Sequence, residues 1–176
     1  MQVVDWDPYR AVAGSEPFDF FDGILQCAFD PAQAPPAGVE QVGLDELFAE
    51  ADVVSLHCPL TPSTQNLVDA AKLAAMKPDS VLVNVSRGGL VDTAALGDAL
   101  RAGAIGGAAL DVLPQEPPDP DDPLVGAPNL IVTNHIAWYS DAALVTLRRL
   151  LAARCSAYLN GEPVPSIVNA RELAAR

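Results

Sequence analysis

Four short apolar runs recur along the chain from about residue 40 onward, and segments with helical periodicity lie between them. The runs are rich in Val, Leu, Ile and Ala and are bounded by turn residues, which is the pattern of buried strands. They cover residues 52–57, 80–85, 107–112 and 129–133. Buried strands that alternate with amphipathic segments predict an α/β fold, with helices covering a mostly parallel sheet.

The predicted helices have recognisable start and stop residues. Asp69 can cap a helix that runs through Met76, and Asp92 can cap one that stops at Gly103. A longer helix is predicted over residues 140–161. Its apolar residues recur at spacings of three and four and form a stripe that requires a partner surface: Leu144, Leu147, Leu151, Cys155 and Tyr158.

Residues 11–39 lack this regularity. Prolines at positions 17, 31, 35 and 36 surround an apolar stretch from Phe18 to Phe29. We interpret the region as an irregular insertion between two units of the fold. Within it, only Gly23–Phe29 has the character of a strand.

Composition and charge exclude several classes of function. The formal net charge of −13 argues against nucleic-acid or anionic-membrane partners, which are bound through clustered Lys and Arg. No apolar stretch reaches the roughly 20 residues of a membrane span, and residues 1–5 lack the pattern of a signal peptide. Cys27, Cys58 and Cys155 are widely spaced, so neither a disulfide framework nor a metal site is predicted. We therefore expect a cytoplasmic protein.

Three further segments contain residues whose side chains could take part in binding or catalysis. They are Asn84–Asp92 (NVSRGGLVD), residues 109–117 with Asp111 and Glu116, and Thr133–Trp138 (TNHIAW). In this order and spacing, together with residues 52–67, they resemble the D-isomer-specific 2-hydroxyacid dehydrogenases. That family includes phosphoglycerate dehydrogenase, glyoxylate reductase and the C-terminal-binding-protein corepressors. The resemblance extends over roughly residues 40–140.

The resemblance implies a Rossmann-like, doubly wound sheet with helices on both faces. Residues 1–140 would form part of an NAD-binding domain that lacks its first β-α unit, because the G-x-G-x-x-G turn would lie upstream of Met1. In the strand order 3-2-1-4-5-6, that loss would leave two inner strand edges unpaired, and Gly23–Phe29 is one candidate to fill the gap. Residues 141–176 would be a helix and tail that pack toward a separate substrate domain.

The resemblance also implies a catalytic set of three side chains. Arg87 would hold the substrate carboxylate, since a guanidinium can bind a carboxylate through two parallel hydrogen bonds. His135 would exchange a proton with the substrate oxygen, which gains negative charge during reduction. Glu116 would orient the imidazole and favour its protonated form.

A second set of residues would contact the coenzyme. Asp7 follows the strand-like opening run and would accept the adenosine ribose hydroxyls, which favours NAD over NADP. The family resemblance places further residues against the coenzyme: Cys58, Pro59, Leu60, Thr61, Val85, Ser86, Asp111, His135 and Trp138.

Each of these residues also has an ordinary structural interpretation. Arg87 could be a surface residue at a strand end, and Glu116 a solvated carboxylate in a proline-flanked loop. Asp7 precedes a proline and could simply end a strand, while Asp111 could equally cap a turn. We interpret His57, the other histidine, as a residue that packs or hydrogen-bonds at a strand end.

The predicted function is hydride transfer between NAD(H) and a 2-hydroxy or 2-keto acid, by a protein that forms a homodimer. One alternative is an NAD(H)-sensing, corepressor-like binding protein, because residues 137–140 resemble that branch. Another is an inactive, truncated remnant of the dehydrogenase. Asn134 stands where the family usually has proline, just before the catalytic histidine.

Overall fold

The computed structural model describes residues 39–164 and the backbone of two short strands, Gln2–Val4 and Leu25–Cys27. The chain forms two compact units, residues 1–136 and residues 137–176. Asp7 and most of the region 11–39 lie outside the described residues, and the ribose-binding role of Asp7 remains a prediction.

A parallel sheet forms the first unit. Among the described residues it has seven strands: β1 Gln2–Val4, β2 Leu25–Cys27, β3 Val39–Gln41, β4 Val53–Leu56, β5 Val81–Asn84, β6 Gly107–Leu110 and β7 Leu130–Val132. Their order is β3-β2-β1-β4-β5-β6-β7, so strands β4 to β7 confirm the four predicted runs and the α/β class. The strand order reverses between β1 and β4, and ligands of such sheets bind beyond the carboxyl ends of the strands at this point.

The centre of the sheet corrects one expectation. The opening strand β1 pairs with β4, with Val3 opposite Ser55, and pairs with β2 on its other side. The expected unpaired inner edges are therefore absent from this described sheet, because Gln2–Val4 supplies the ladder partners that buried backbone groups require. The strand within Gly23–Phe29 does form, as Leu25–Cys27, but it lies between β1 and β3 rather than beside β4.

Two helices of the first unit begin at the predicted capping residues. Helix α2 spans Ala70–Ala75 and α3 spans Thr93–Ala102. Asp69 accepts a hydrogen bond from the Lys72 amide at 2.9 Å, and Asp92 accepts two at 3.0 Å. Helix α3 ends at Gly103, whose φ of 64° is the left-handed conformation that glycine adopts readily. Both predicted helices are confirmed.

One helix and one strand were not predicted from the sequence. Helix α1, Leu44–Glu50, follows the short strand β3, and it buries Leu47 and Phe48 completely. Together with α2 and α3 it packs against alternate residues of the central strands in one apolar cluster, which includes Val54, Leu56, Leu82, Ala108 and Leu110. The three helices therefore share one face of the sheet, and that face holds the core formed by the described residues.

The second unit contains helix α4, Asp141–Leu159, which confirms the helix predicted over 140–161. The Ser140 hydroxyl caps its first turn by accepting a hydrogen bond from the Ala143 amide at 3.0 Å. No residue of α4 is buried, and its apolar stripe is solvent-exposed. Among the described residues, no helix combines the length and apolar character needed to cross a membrane.

Candidate active site

The turn after β5 presents Arg87. The last residue of the strand, Asn84, is fully buried, and its side-chain amide donates to the Arg87 carbonyl at 2.9 Å. The Asn84 side-chain oxygen accepts a hydrogen bond from the Ser86 amide at 3.0 Å. Arg87 is exposed, and its guanidinium donates to the Ser86 carbonyl at 2.7 Å. The buried Asn84 side chain thus fixes the turn, while the Arg87 guanidinium remains accessible to solvent.

Gly88 brings this turn into direct contact with the loop that follows β6. A Cβ atom at Gly88 would lie 2.0 Å from the Leu113 carbonyl carbon and 2.3 Å from the Pro114 nitrogen. Backbone atoms cannot move aside as a side chain can, so only glycine permits this approach. The contact sets the Arg87 turn against the loop that carries Glu116.

Glu116 is held by two hydrogen bonds. One carboxylate oxygen accepts from the Leu113 amide at 2.9 Å, and the other lies 2.7 Å from Nδ1 of His135. The hydrogen bond with His135, followed by that from the Leu113 amide, lowers the pKa of Glu116 below its ordinary value. Glu116 is therefore ionised at neutral pH and oriented toward the imidazole.

His135 has a left-handed backbone, with φ of 55°. This conformation costs a non-glycine residue roughly 1–2 kcal/mol. Asp111, at the end of β6, offsets the cost: its carbonyl accepts from the His135 amide at 2.9 Å, and its carboxylate accepts from the Ile136 amide at 2.9 Å and the Thr133 hydroxyl at 2.5 Å. Asp111 thus holds the His135 turn, as its structural interpretation anticipated.

These loops enclose a cleft of about 170 Å³. It is lined by Arg87, Gly88, Val112, Leu113, Pro114, Glu116 and His135. The structure therefore brings together the three residues predicted as a catalytic set. Trp138, predicted to contact the coenzyme, belongs to the second unit.

The predicted coenzyme loop, Cys58–Thr61, follows β4 at the same edge of the sheet. Thr64 holds it: its hydroxyl accepts from the Thr61 amide at 2.8 Å and donates to the Pro59 carbonyl at 2.7 Å. His57 contacts the Ser55 hydroxyl at 2.8 Å, in keeping with its structural interpretation.

The edge beside the point of strand reversal suits a dinucleotide. The Cys58–Thr61 loop and the Val85–Ser86 turn both leave the sheet there, and Leu60 and Val85 are partly exposed. Exposed apolar side chains beside backbone amides and carbonyls match a ligand with flat rings and many hydrogen-bonding groups. Among the described residues, no group of three His, Cys, Asp or Glu side chains could hold a metal ion.

Comparison with known proteins identifies the family. The sequence profile of the D-isomer specific 2-hydroxyacid dehydrogenase NAD binding domain matches residues 26–137. The chain belongs to this family. It is 47% identical over 143 residues to the glycerate dehydrogenase of Methylorubrum extorquens, a match covering 80% of this chain and 44% of that protein.

Two further relatives agree with this assignment. The glyoxylate reductase of Korarchaeum cryptofilum is 42% identical over 157 residues, covering 89% of this chain and 46% of that protein. The NAD-complexed structure of the D-isomer specific 2-hydroxyacid dehydrogenase from Lactobacillus delbrueckii ssp. bulgaricus superposes with a TM-score of 0.74 at 33% identity, covering 82% of this chain and 49% of that one. The chain thus spans less than half the length of each of these relatives.

The matched profile is that of an NAD binding domain, and the Lactobacillus relative was solved with NAD bound. Three residues important to the site architecture had no assigned role in the sequence: Asn84, Gly88 and Thr64. Asn84 did leave a signal, because an amide at the end of an otherwise apolar strand requires a hydrogen-bonding partner. The packing around Gly88 left none, since the loop it touches is 25 residues further along.

The Glu116–His135 pair gives the fold a pH dependence on the acid side. Because the pKa of Glu116 is lowered in the folded state, its contribution to stability is present above the ordinary carboxyl range and is lost as the pH falls through the lowered pKa. Melting temperatures of the Glu116→Gln variant should therefore fall less than those of the wild type between about pH 6 and pH 3. The difference should be small, since 39% of the Glu116 side chain is exposed. If the melting temperatures of the wild type and of Glu116→Gln fell equally over this pH range, this interpretation of the Glu116–His135 pair would be contradicted.

Proposed function

We propose that this protein interconverts 2-keto acids and D-2-hydroxy acids with NAD(H). The observation that supports this most directly is the cleft that Arg87, Glu116 and His135 share. It places one cation beside an imidazole that is paired with a carboxylate. A 2-keto acid requires both partners, a cation for its carboxylate and a proton donor for its adjacent carbonyl.

Arg87 binds the substrate carboxylate in this proposal. The chain carries a net charge of −13, so an anionic substrate depends on a local cationic anchor. Arg87 is exposed in the cleft on a turn fixed by Asn84, and its planar guanidinium can form two parallel hydrogen bonds to a carboxylate. Such binding orients the keto group toward His135.

His135 donates a proton to the keto oxygen as negative charge develops there, and it accepts the proton in the reverse direction. Glu116 holds the ring through Nδ1 at 2.7 Å, and in this proposal Nε2 is the nitrogen that exchanges the proton with the substrate. Glu116 and His135 therefore act as one acid-base unit.

NAD, when bound, supplies or accepts the hydride. We propose that it is held by the loop Cys58–Thr61, the turn Val85–Ser86 and the region of Asp111 and His135, which lie at the carboxyl edge of strands β4 to β7. Asp7 and Trp138 complete the proposed set by family resemblance. A cytoplasmic location and a homodimer are further parts of the proposal, and reduced cysteines suit the first of them.

Coenzyme binding by the chain is the first test. NADH present at about 100 times its Kd should raise the free energy of unfolding by about 2.7 kcal/mol. A thermal melt with and without NADH, together with quenching of protein fluorescence, measures this. No detectable binding at millimolar NADH would contradict the proposal for this chain.

Turnover is the second test. NADH oxidation is followed by absorbance with glyoxylate, pyruvate and hydroxypyruvate as probes, and at least one of them should be reduced. Arg87→Ala should lower kcat/KM by about 10- to 150-fold, the usual effect of losing hydrogen bonds to a charged group. Arg101→Ala, on helix α3 and outside the cleft, is the matched control and should retain wild-type kinetics.

A further inference from the structure

One buried amide stands in a row of leucines. Asn84 pairs in register with Leu56 on β4 and with Leu110 on β6, and both leucines belong to the core. The Asn84 side chain is itself fully buried, with 0% exposure. A leucine would fill this position with apolar surface, so the amide requires a specific explanation.

The hydrogen bonds of Asn84 point away from the strand and into the site. Its amide nitrogen donates to the Arg87 carbonyl at 2.9 Å, and its oxygen accepts from the Ser86 amide at 3.0 Å. Both partners belong to the turn that carries the guanidinium. The Asn84 side chain thus links strand β5 to the backbone of Ser86 and of Arg87 itself.

The main chain of Asn84 extends this connection to the neighbouring loop. Its carbonyl accepts from the Asp111 amide at 2.9 Å, and the Asp111 carbonyl and carboxylate hold the His135 turn. Asn84 is therefore hydrogen-bonded both to the Arg87 turn and to the residue that holds His135. The Asn84 side chain is fully buried, where hydrogen bonds restrain geometry more tightly than at a surface.

We propose that Asn84 is a positioning residue, which sets the direction of the Arg87 guanidinium for the substrate carboxylate. It does not touch the substrate and acts through Arg87. This inference rests on the proposed function, because it assigns Asn84 a part in the same reaction. Its effect should be larger on keto-acid binding than on coenzyme binding, because only one of its two hydrogen bonds goes to the Ser86 amide of the proposed coenzyme turn.

The test uses Asn84→Leu. This change places an apolar side chain of similar size in the leucine row and removes both side-chain hydrogen bonds. We expect KM for a reduced 2-keto acid to rise about tenfold, with KM for NADH and kcat each within about threefold. The matched control is Ser80→Ala, since Ser80 is also fully buried and bonds the Lys77 carbonyl at the opposite end of β5. Ser80→Ala should lower the melting temperature without raising KM for the acid.

A double-mutant cycle separates positioning from general destabilisation. If Asn84 acts through Arg87, Asn84→Leu should have less than about a twofold effect on kcat/KM in an Arg87→Ala background. The same tenfold effect in both backgrounds would overturn the proposal, as would an unchanged KM in Asn84→Leu. Asn84→Ala provides a second variant, because it removes the same two hydrogen bonds with a smaller side chain; its KM should rise as that of Asn84→Leu does.

Hydrogen exchange tests the same role without turnover. In Asn84→Leu the Ser86 amide should exchange at least about tenfold faster than in the wild type, while Ser80→Ala leaves its rate unchanged. If no 2-keto acid is reduced by the wild type, the proposed function fails, and the exchange result alone decides whether Asn84 fixes the Arg87 turn. Unchanged Ser86 exchange in Asn84→Leu would overturn that role.

Discussion

Replacing His135 by alanine is expected to lower kcat for keto-acid reduction by about 10²- to 10⁴-fold, the usual contribution of a positioned general acid. The variant keeps Arg87, so the acid should still bind, and KM should change far less than kcat. Glu116 would lose the ring that its carboxylate contacts at 2.7 Å. Steady-state NADH oxidation over a range of acid concentrations measures both parameters.

The control for this variant is the other histidine. His57 lies at the end of β4 and contacts the Ser55 hydroxyl at 2.8 Å, outside the cleft. His57→Ala should leave kcat within about threefold of the wild type, because it removes a hydrogen bond to Ser55 and leaves every side chain of the cleft in place. Equal losses in the two variants would show that the His135 effect does not come from proton transfer.

Gly88→Ala should have the largest effect on the fold. Its Cβ atom would lie 2.0 Å from the Leu113 carbonyl carbon and 2.2 Å from the oxygen, so the two loops must separate. Overpacking against backbone should lower the free energy of unfolding by about 3 kcal/mol or more, out of a typical total of roughly 5–15 kcal/mol. Moving Arg87 away from Glu116 by even 1 Å should also cost about 10²-fold in kcat/KM.

Gly43→Ala is the matched control, because no atom lies within 4 Å of the Cβ position at Gly43. Its backbone is at the N-cap of α1 with φ of −65°, which alanine adopts freely. The free energy of unfolding should change by less than about 1 kcal/mol. Urea unfolding of both variants provides the comparison, and similar midpoints for the two would refute the packing argument at Gly88.

The parts of this fold that the sequence predicts are those determined locally. Asp69, Asp92 and Ser140 each cap the helix that follows them, and their side chains bond to amides two or three residues away. The apolar runs of β4 and β5 become buried strands because their composition allows little else. The motifs that contain Arg87, Glu116 and His135 likewise predicted that these residues lie together in one cleft.

The elements that the sequence does not predict depend on contacts with residues far away along the chain. Strand β3 has one half-buried and two exposed residues, so it carries no apolar pattern. Helix α1 has only seven residues, and the residue before it, Gly43, has no side chain to cap it. Its Leu44, Leu47 and Phe48 do have helical spacing. The central place of Gln2–Val4 is a property of pairing, and no local signal distinguishes one parallel neighbour from another.

The three side chains proposed as a catalytic set follow three successive strands of one sheet. Arg87 comes after β5, Glu116 after β6 and His135 after β7. Neighbouring strands lie about 4.8 Å apart, so the backbones that carry the anchor and the proton donor are separated by about 10 Å through the hydrogen-bond ladder itself. This distance is inherited from the peptide backbone and hardly depends on which side chains fill the core. The apolar helix-facing residues, unlike Asn84, can therefore be exchanged extensively during evolution while the spacing of the three strand ends stays constant.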